Sequence, residues 1–256
     1  MATLWIALPA YNEERSLPPL LERYVALRPV IEQRGGRLRV LVVDDGSTDG
    51  TIAVARKFSD RLDLEVIPHQ VNQNLGAALR TGLTGALARA TDDDLIGTMD
   101  ADNTHDPALF PRMWDTLDRE KADVVIASRY CPGGDEVGLT PLRKVLSRGA
   151  SLLLSTVANV PGARDYTCGF RLYRASTLRR ALNAWGEKFI EEAGFVCMAE
   201  VLVKLGLGGA KVTEAPLILR YDLKEGASKM KIMRTISRYF AMAQRVRSNP
   251  IPRIGG

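Results

Sequence analysis

Cysteine and histidine are scarce in this 256-residue chain, with three of the former and two of the latter. Cys131, Cys168 and Cys197 are scattered and odd in number. That excludes a paired disulfide frame or a cysteine-rich zinc site and points to reduced thiols. His69 and His105 stand far apart, which excludes a histidine-rich metal centre. No run approaches the roughly 20 apolar residues of a membrane span. The longest, SLLLSTVANV, is shorter and follows Arg143, Lys144 and Arg148. The N-terminus lacks the basic leader and apolar core of a signal peptide. A cytoplasmic protein is expected, either soluble or peripheral on the cytoplasmic face of a membrane. Repeats, low-complexity tracts and obvious linkers are also missing, as is any basic–aromatic module for binding nucleic acid.

What is present suits a globular core: 46% of the residues are hydrophobic and 25% charged, enough for one large domain. The net charge of +5 suits an anionic partner, although a solvated basic surface accounts for it equally. Short apolar strands are expected at 4–8, 38–43, 64–67, 95–99 and 124–127. They alternate with helices at 16–34, from about Thr51, at 75–90 and at 107–120. Such alternation predicts an α/β fold with a mostly parallel, Rossmann-like sheet and helices on both faces. The second half is less regular. Helices are expected at 141–158 and 190–205, and strands at 169–173 and 211–219. A basic amphipathic helix and tail over 229–256 would follow a domain over 1–228.

Three of the predicted strands end in acids. The first runs into Pro9-Ala10-Tyr11-Asn12-Glu13, the second into Asp44-Asp45-Gly46-Ser47, the fourth into Asp100-Ala101-Asp102. Ligands of parallel sheets bind beyond the carboxyl ends of strands, so these clusters would share one rim. Taken singly, each has an ordinary explanation: a loop triplet, a turn with an N-cap, a helix entry. Together they crowd Glu13, Asp44, Asp45, Asp100 and Asp102 into one neighbourhood. Carboxylates so placed repel unless a cation joins them. A hard divalent ion, Mg²⁺ or Mn²⁺, would take their oxygens together with those of a phosphate.

PAYNE, VVDDGSTDGT, Asn74-Leu75-Gly76 before an Ala/Gly-rich helix, MDAD and a later C-G-F-R resemble the inverting family 2 glycosyltransferases of GT-A fold. The likeness covers nearly the whole chain. The stretches ASRYCPGG and PLRKVLSRGAS within 127–151, DYTCGFRLYR at 165–174 and EGASKM at 225–230 narrow it to dolichol- or polyprenyl-phosphate mannose synthases and their glucosyl relatives. The resemblance implies transfer of a hexose, mannose first, from a nucleoside diphosphate sugar to a polyprenyl phosphate with inversion. GDP-mannose would be the favoured donor, with a UDP-sugar as the variant. It implies that Pro9, Tyr11, Glu13, Asp44 and Asp45 hold the nucleoside. Asp100 and Asp102 would bracket the metal and diphosphate, with Asp102 catalytic, and Lys229 would reach the donor. Arg129, Arg143 and Ser147 would hold the acceptor phosphate, both arginines counting as catalytic.

Two positions depart from the pattern. Thr104 replaces a glutamine that usually helps to bind metal, and Leu223, between Arg220 and Lys224, replaces a diphosphate-binding arginine. The rival within enzymes is a family 2 transferase acting on a hydroxyl, which needs a carboxylate base. Glu191 and Glu192 are its candidates, against an ordinary role as acids opening a helix. A nucleotidyltransferase would call for a Gly-rich phosphate loop that the N-terminus does not contain, and a non-catalytic nucleotide binder would not need all the acids. The 229–247 helix can either lie in a lipid interface or pack its apolar side on the domain.

Overall fold

A computed structural model describes residues 1–223, 232–249 and 251–254. The EGASKM stretch with Lys229, Lys224 and the expected boundary at 228 all lie outside the described residues, as do the side chains of Arg143 and Leu223.

The central sheet has seven strands: β1 (Thr3–Ala10), β2 (Arg37–Asp44), β3 (Leu64–Pro68), β4 (Leu95–Thr98), β5 (Val124–Ser128), β7 (Arg171–Arg174) and β8 (Val212–Pro216), in the order β3-β2-β1-β4-β7-β5-β8. All neighbours run parallel except β7, which is antiparallel to both β4 and β5. Two short strands, β6 (Asp135–Val137) and β9 (Ile218–Arg220), pair separately. The helices are α1 (Leu17–Gln33), α2 (Thr51–Arg56), α3 (Leu75–Leu87), α4 (Phe110–Arg119), α5 (Pro141–Ala158), α6 (Ala175–Trp185), α7 (Val196–Leu207) and α8 (Ile232–Ser248).

The pattern of burial explains the layering. Residues Leu4 to Ala10 of β1 and Val124 to Ser128 of β5 are buried without alternation, as they must be when both sheet faces are covered. Helix α1 supplies part of that cover. Leu17, Leu20, Leu21, Tyr24, Leu27 and Ile31 recur at three- and four-residue spacing and are all buried, each contributing about 1.5–3 kcal/mol of apolar transfer. Asn74 caps α3, its Oδ1 accepting from the backbone N–H of Gly76 and Ala77.

The second half departs from the sequence expectation in three places and decides between the two readings left open for the C-terminal helix. The stretch 211–219 is not one strand. Pro216 cannot extend the ladder, and the chain breaks at Leu217, whose N–H bonds Ser128 O, before β9 leaves for the small sheet. Helix α7 starts at Val196, so Glu191 and Glu192 lie in the preceding loop and do not open a helix. Strand β6 and helix α6 add two elements: β6 has a single buried position, whereas α6 buries Ala175, Leu178 and Ala181 at the three-residue spacing of a helix face that had not been assigned. Finally, α8 buries Tyr239, Met242, Ala243 and Val246 against α5 and α7. Its described apolar side therefore packs on the domain, with Phe240 left exposed. None of the helices among the described residues is long and apolar enough to cross a membrane.

Candidate active site

Parallel pairing carries the acids to one edge. In the β1–β2 ladder Ala10 stands opposite Asp44, and in the β1–β4 ladder Ala7 stands opposite Thr98, just before Asp100. The PAYNE turn is stitched to the loop after β2. Asn12, in the left-handed region at φ 54°, donates its N–H to Ser47 Oγ (2.9 Å), and its Oδ1 accepts from Thr48 N (2.8 Å). Glu13 N donates to Thr51 Oγ1 (2.8 Å). Gly46 turns this loop at φ 71°, and a Cβ there would sit 2.5 Å from the Val71–Asn72 backbone. Only glycine serves.

The two acids ending β2 differ. Asp44 is buried, with one oxygen, Oδ2, accepting from Ser47 N (3.1 Å). Its Oδ1 has no hydrogen-bond partner among the described residues, which is costly unless a ligand supplies a donor. Asp45 is committed internally. Its Oδ1 accepts from His69 Nδ1 (2.8 Å) and Gln73 N (2.9 Å), and His69 Nε2 meets Thr81 Oγ1 (3.0 Å). A carboxylate only accepts, so Nδ1 carries the imidazole proton. Asp45 thus fixes the 69–74 segment that leads into α3. Tyr11 and Glu13 lie half-buried beside these acids, and Pro9 is buried in β1.

Asp100 and Asp102 are half-buried on the turn after β4. Thr104, at the usual glutamine position, binds Asp102 Oδ1 through its hydroxyl (2.6 Å) and its N–H (3.2 Å). His105 is buried against Phe170, with ring centroids 5.5 Å apart. Burial lowers its pKa although Asp100 and Asp102 pull the other way, so the ring is neutral. Its Nδ1 and the neighbouring Asn103 Oδ1 have no partner among the described residues.

Because β7 runs antiparallel, the segment before it arrives at the same rim. Thr98 Oγ1 donates to Gly169 O (2.8 Å), and a Cβ on Gly169 would lie 3.4 Å from Asp100 Oδ1. Arg171 is wholly buried and ties Tyr166 O to Met198 O. The motif C-G-F-R is therefore a brace behind the metal-binding candidates.

Arg129 lies in a buried charge cluster with Asp165 and Glu136. Arg129, one residue past β5, uses all five N–H donors within the protein. Its Nε and one Nη2 proton clamp Asp165 (both 2.7 Å), and the other Nη2 proton goes to Thr167 Oγ1 (2.7 Å). Its Nη1 protons go to Glu136 Oε1 (3.2 Å) and Ser147 Oγ (3.3 Å). Burial disfavours the ionised Asp165, but the Arg129 charge and its hydrogen bonds win, leaving the carboxyl below its ordinary range. Arg129 therefore organises this corner and cannot also grip a phosphate without surrendering a partner. Ser147 does face the cluster, bonded to Tyr130 Oη (2.7 Å), and Arg148 stacks over the Tyr130 ring. Arg143 sits in the first turn of α5. Of the two neighbours of Leu223, Arg220 is engaged by Asp222 (2.7 Å).

The loop 190–195 is held from several sides. Glu200, fully buried, accepts the N–H of Glu191 (2.9 Å) and Glu192 (2.8 Å) on Oε2, and Lys204 Nζ (2.8 Å) on Oε1. Lys204 also binds Glu191 Oε2 (3.0 Å), while Arg238 (2.8 Å) and Arg245 (3.1 Å) from α8 bind Glu192. The loop rests on the start of α3, where a Cβ on Gly76 would meet Glu192 O at 2.1 Å.

Sequence reasoning missed Asp165, His69, Glu136 and the Glu200–Lys204 pair. Asp165 was visible as the first residue of DYTCGFR. The others carry no motif.

Residues 5–182, well over half of the chain, match the family described as glycosyl transferase family 2. The undecaprenyl-phosphate mannosyltransferase of Micrococcus luteus is 33% identical over 87% of this chain and 85% of its own length. The polyprenol monophosphomannose synthase of Mycolicibacterium smegmatis is 32% identical over 88% and 80%. The dodecaprenyl-phosphate galacturonate synthase of Rhizobium johnstonii is 33% identical over 91% of this chain and 63% of that protein. Among solved structures, glucosyl-3-phosphoglycerate synthase from Mycobacterium tuberculosis, crystallised with Mn²⁺ and UDP, superposes with a TM-score of 0.67 at 18% identity, covering 97% of this chain and 81% of that one. An acid-lined rim on a mostly parallel sheet, a matching family over more than half of the length and relatives at one-third identity agree: the chain belongs to glycosyl transferase family 2 and is a glycosyltransferase of GT-A fold.

Proposed function

We propose that this enzyme transfers a hexose, mannose first, from a nucleoside diphosphate sugar to a polyprenyl phosphate, inverting the anomeric carbon. The observation that carries this reading is the state of Glu191 and Glu192. Both carboxylates are turned onto cations, Lys204, Arg238 and Arg245, so a hydroxyl acceptor would find no proton acceptor in either. A phosphate acceptor arrives with an anionic oxygen and needs positioning above all. Relatives named as an undecaprenyl-phosphate mannosyltransferase, a dodecaprenyl-phosphate galacturonate synthase and a polyprenol monophosphomannose synthase support the same class of acceptor.

The donor's nucleoside would lie against Pro9, Tyr11 and Glu13, with Asp44 Oδ1 taking an N–H or hydroxyl donor from it. Asp45 supports that pocket through His69. The acids after β4 fit a divalent ion. Mg²⁺ and Mn²⁺ are commonly held by one or two carboxylates together with substrate phosphate, which suits a rim without three clustered ligands among the described residues. The unpartnered Asn103 Oδ1 and His105 Nδ1 on the same turn also suit a site completed by its ligand. Asp100 and Asp102 would hold the ion, whose charge would neutralise the departing diphosphate. Ser147 and Arg143 would place the acceptor phosphate, with Arg129 behind them and Lys229 on the donor side. An acceptor oxygen then displaces the nucleoside diphosphate from the opposite face of the sugar. A lipid acceptor places the protein at a membrane surface, peripherally.

Incubation with radiolabelled GDP-mannose or UDP-hexoses, Mn²⁺ and either a prenyl phosphate or a prenyl alcohol tests this. Label is expected in the phosphate acceptor alone. Transfer only to the alcohol would refute the reading and restore a hydroxyl acceptor.

A further inference from the structure

Behind the acceptor side lies a buried carboxylate with no role in the scheme so far. Glu136, on β6, is 1% exposed. Its Oε1 accepts from Arg129 Nη1 (3.2 Å) and Tyr130 Oη (3.3 Å), while its Oε2 has no hydrogen-bond partner among the described residues. Two carboxylates, Asp165 and Glu136, thus face the single guanidinium of Arg129. Asp165 alone pairs Arg129 through two hydrogen bonds, so a proton on Glu136 would not strand that cation.

The hydrogen bonds around it allow one directed chain. Tyr130 has one proton, and a carboxylate can only accept, so in that chain the Tyr130 hydroxyl donates to Glu136. Tyr130 Oη must then accept in its 2.7 Å contact with Ser147, and Ser147 Oγ donates. Ser147 Oγ in turn accepts from Arg129 (3.3 Å). With its proton spent inward, Ser147 offers an outside ligand only a lone pair. Such a hydroxyl repels a bare phosphate oxygen and welcomes a P–OH.

Resting on the proposed function, we infer that Ser147, Tyr130 and Glu136 form a proton relay that strips the acidic proton from an acceptor phosphate monoester. The P–OH proton passes to Ser147 Oγ, the Ser147 proton to Tyr130 Oη, and the Tyr130 proton to Glu136. No oxidant or further reactant is needed. Afterwards every bond in the chain points the other way. Glu136 donates to Tyr130, Tyr130 to Ser147, and Ser147 to the phosphate, now a dianion. One of its oxygens forms the new bond to the anomeric carbon as the bond to the nucleoside diphosphate breaks. The product is a phosphodiester with one negative charge, and the proton on Glu136 returns to solvent once the product has left. Burial holds the Tyr130 phenol above its ordinary pKa, so the ring passes a proton without resting as phenolate. The charged groups facing Glu136 are Arg129 with its partner Asp165, and beyond Tyr130 the stacked Arg148.

The relay matters only while the acceptor still carries its proton, below a second phosphate pKa of about 6. E136Q and Y130F each interrupt it: the amide accepts no proton, and phenylalanine passes none. Transfer to a prenyl phosphate is measured from pH 5.5 to 8 with saturating donor, with nucleotide affinity followed by calorimetry. Wild-type transfer itself tests the proposed function, so its absence would be a separate failure. Given wild-type transfer, both variants should approach the wild-type rate at pH 8. At pH 5.5, half a unit below that pKa, only about a quarter of the acceptor is already dianionic, so each should lose about 4-fold in kcat, with acceptor KM and nucleotide affinity little changed. A loss equal at both pH values would make the cluster a structural support only and overturn the relay, as would full activity at pH 5.5. If E136Q does not fold, Y130F decides, since it removes one hydroxyl and leaves the Glu136–Arg129 pair in place.

Discussion

The rim proposed to hold the donor and the corner proposed to hold the acceptor are built on opposite plans. The rim is local. Asn12, Ser47, Thr48 and Thr51 tie two adjacent strand-end loops through short side-chain-to-backbone bonds, and Asp102 is braced by Thr104 two residues away. Asp44 Oδ1 there has no hydrogen-bond partner among the described residues. The acceptor corner is assembled from afar: Arg129, Glu136, Ser147 and Asp165 come from β5, β6, α5 and the approach to β7, and they spend their charge on one another. The difference teaches where each region can be damaged. Asp102 on the rim is half-buried on a turn, so its loss should show first in chemistry. An acid in the corner neutralises a buried cation, so its loss should show first in stability.

The largest effect follows from Asp102→Asn. Transfer should fall by at least about 100-fold, equivalent to roughly 3 kcal/mol of lost charge stabilisation. The melting temperature should stay within a few degrees of wild type, and Mn²⁺ should cease to strengthen nucleotide binding in calorimetry. Full activity would remove Asp102 from the metal site and dissolve the contrast. Asp165→Asn should do the reverse. Breaking a buried ion pair costs about 3–5 kcal/mol, here because Arg129 would keep only Glu136 as a counter-charge. Since the folded carboxyl lies below its ordinary value, its contribution is fully present above the unfolded pKa of about 3.9. It fades as pH falls through the folded value. Denaturation by urea should therefore show a wide gap between wild type and variant at pH 7 that narrows below about pH 4. A gap independent of pH would assign the loss to packing and not to charge.

The same contrast decides how much could be read from the sequence. Alternating apolar runs and turn residues gave the first five strands and four helices nearly to the residue, because each follows from local spacing. Pro9, Asp44 and Asp100 were placed on one rim by a single assumption, parallel pairing, and the ladders uphold it. The antiparallel insertion of β7 between β4 and β5 was not legible. Nothing in RLYR encodes its direction, yet that reversal brings Gly169 to Asp100 and Asp165 to Arg129. Arg129 was found by motif, but the motif says nothing of its being saturated with partners. Glu136 sits in a three-residue strand whose lone internal position gives no period to detect. Glu191 and Glu192 were misplaced for a related reason: the apolar spacing of α7 continues backwards through Phe189 and Ile190, both buried, but Phe189 ends a separate 3₁₀ turn and Ile190 is extended.

The smallest effect expected comes from Arg238→Ala, and it tests whether the helix that follows the transferase core is held by charge or by packing. Arg238 is 42% exposed at its side chain and pairs with Glu192 at 2.8 Å. Water screens such a pair, so its loss should cost less than about 1 kcal/mol. Glu192 keeps Arg245 at 3.1 Å and is not stranded. Met242 is fully buried on the same helix, and Met242→Ala should cost about 2–5 kcal/mol by leaving a cavity. If instead Arg238→Ala proved the costlier change, α8 would be an ionic strap. If Arg238→Ala let the enzyme transfer to a prenyl alcohol, Glu192 would be a base held in check, and the argument for a phosphate acceptor would lose its main support. A small loss that shrinks in added salt, with the alcohol still refused, keeps Glu192 as a structural acid, its charge spent on the helix.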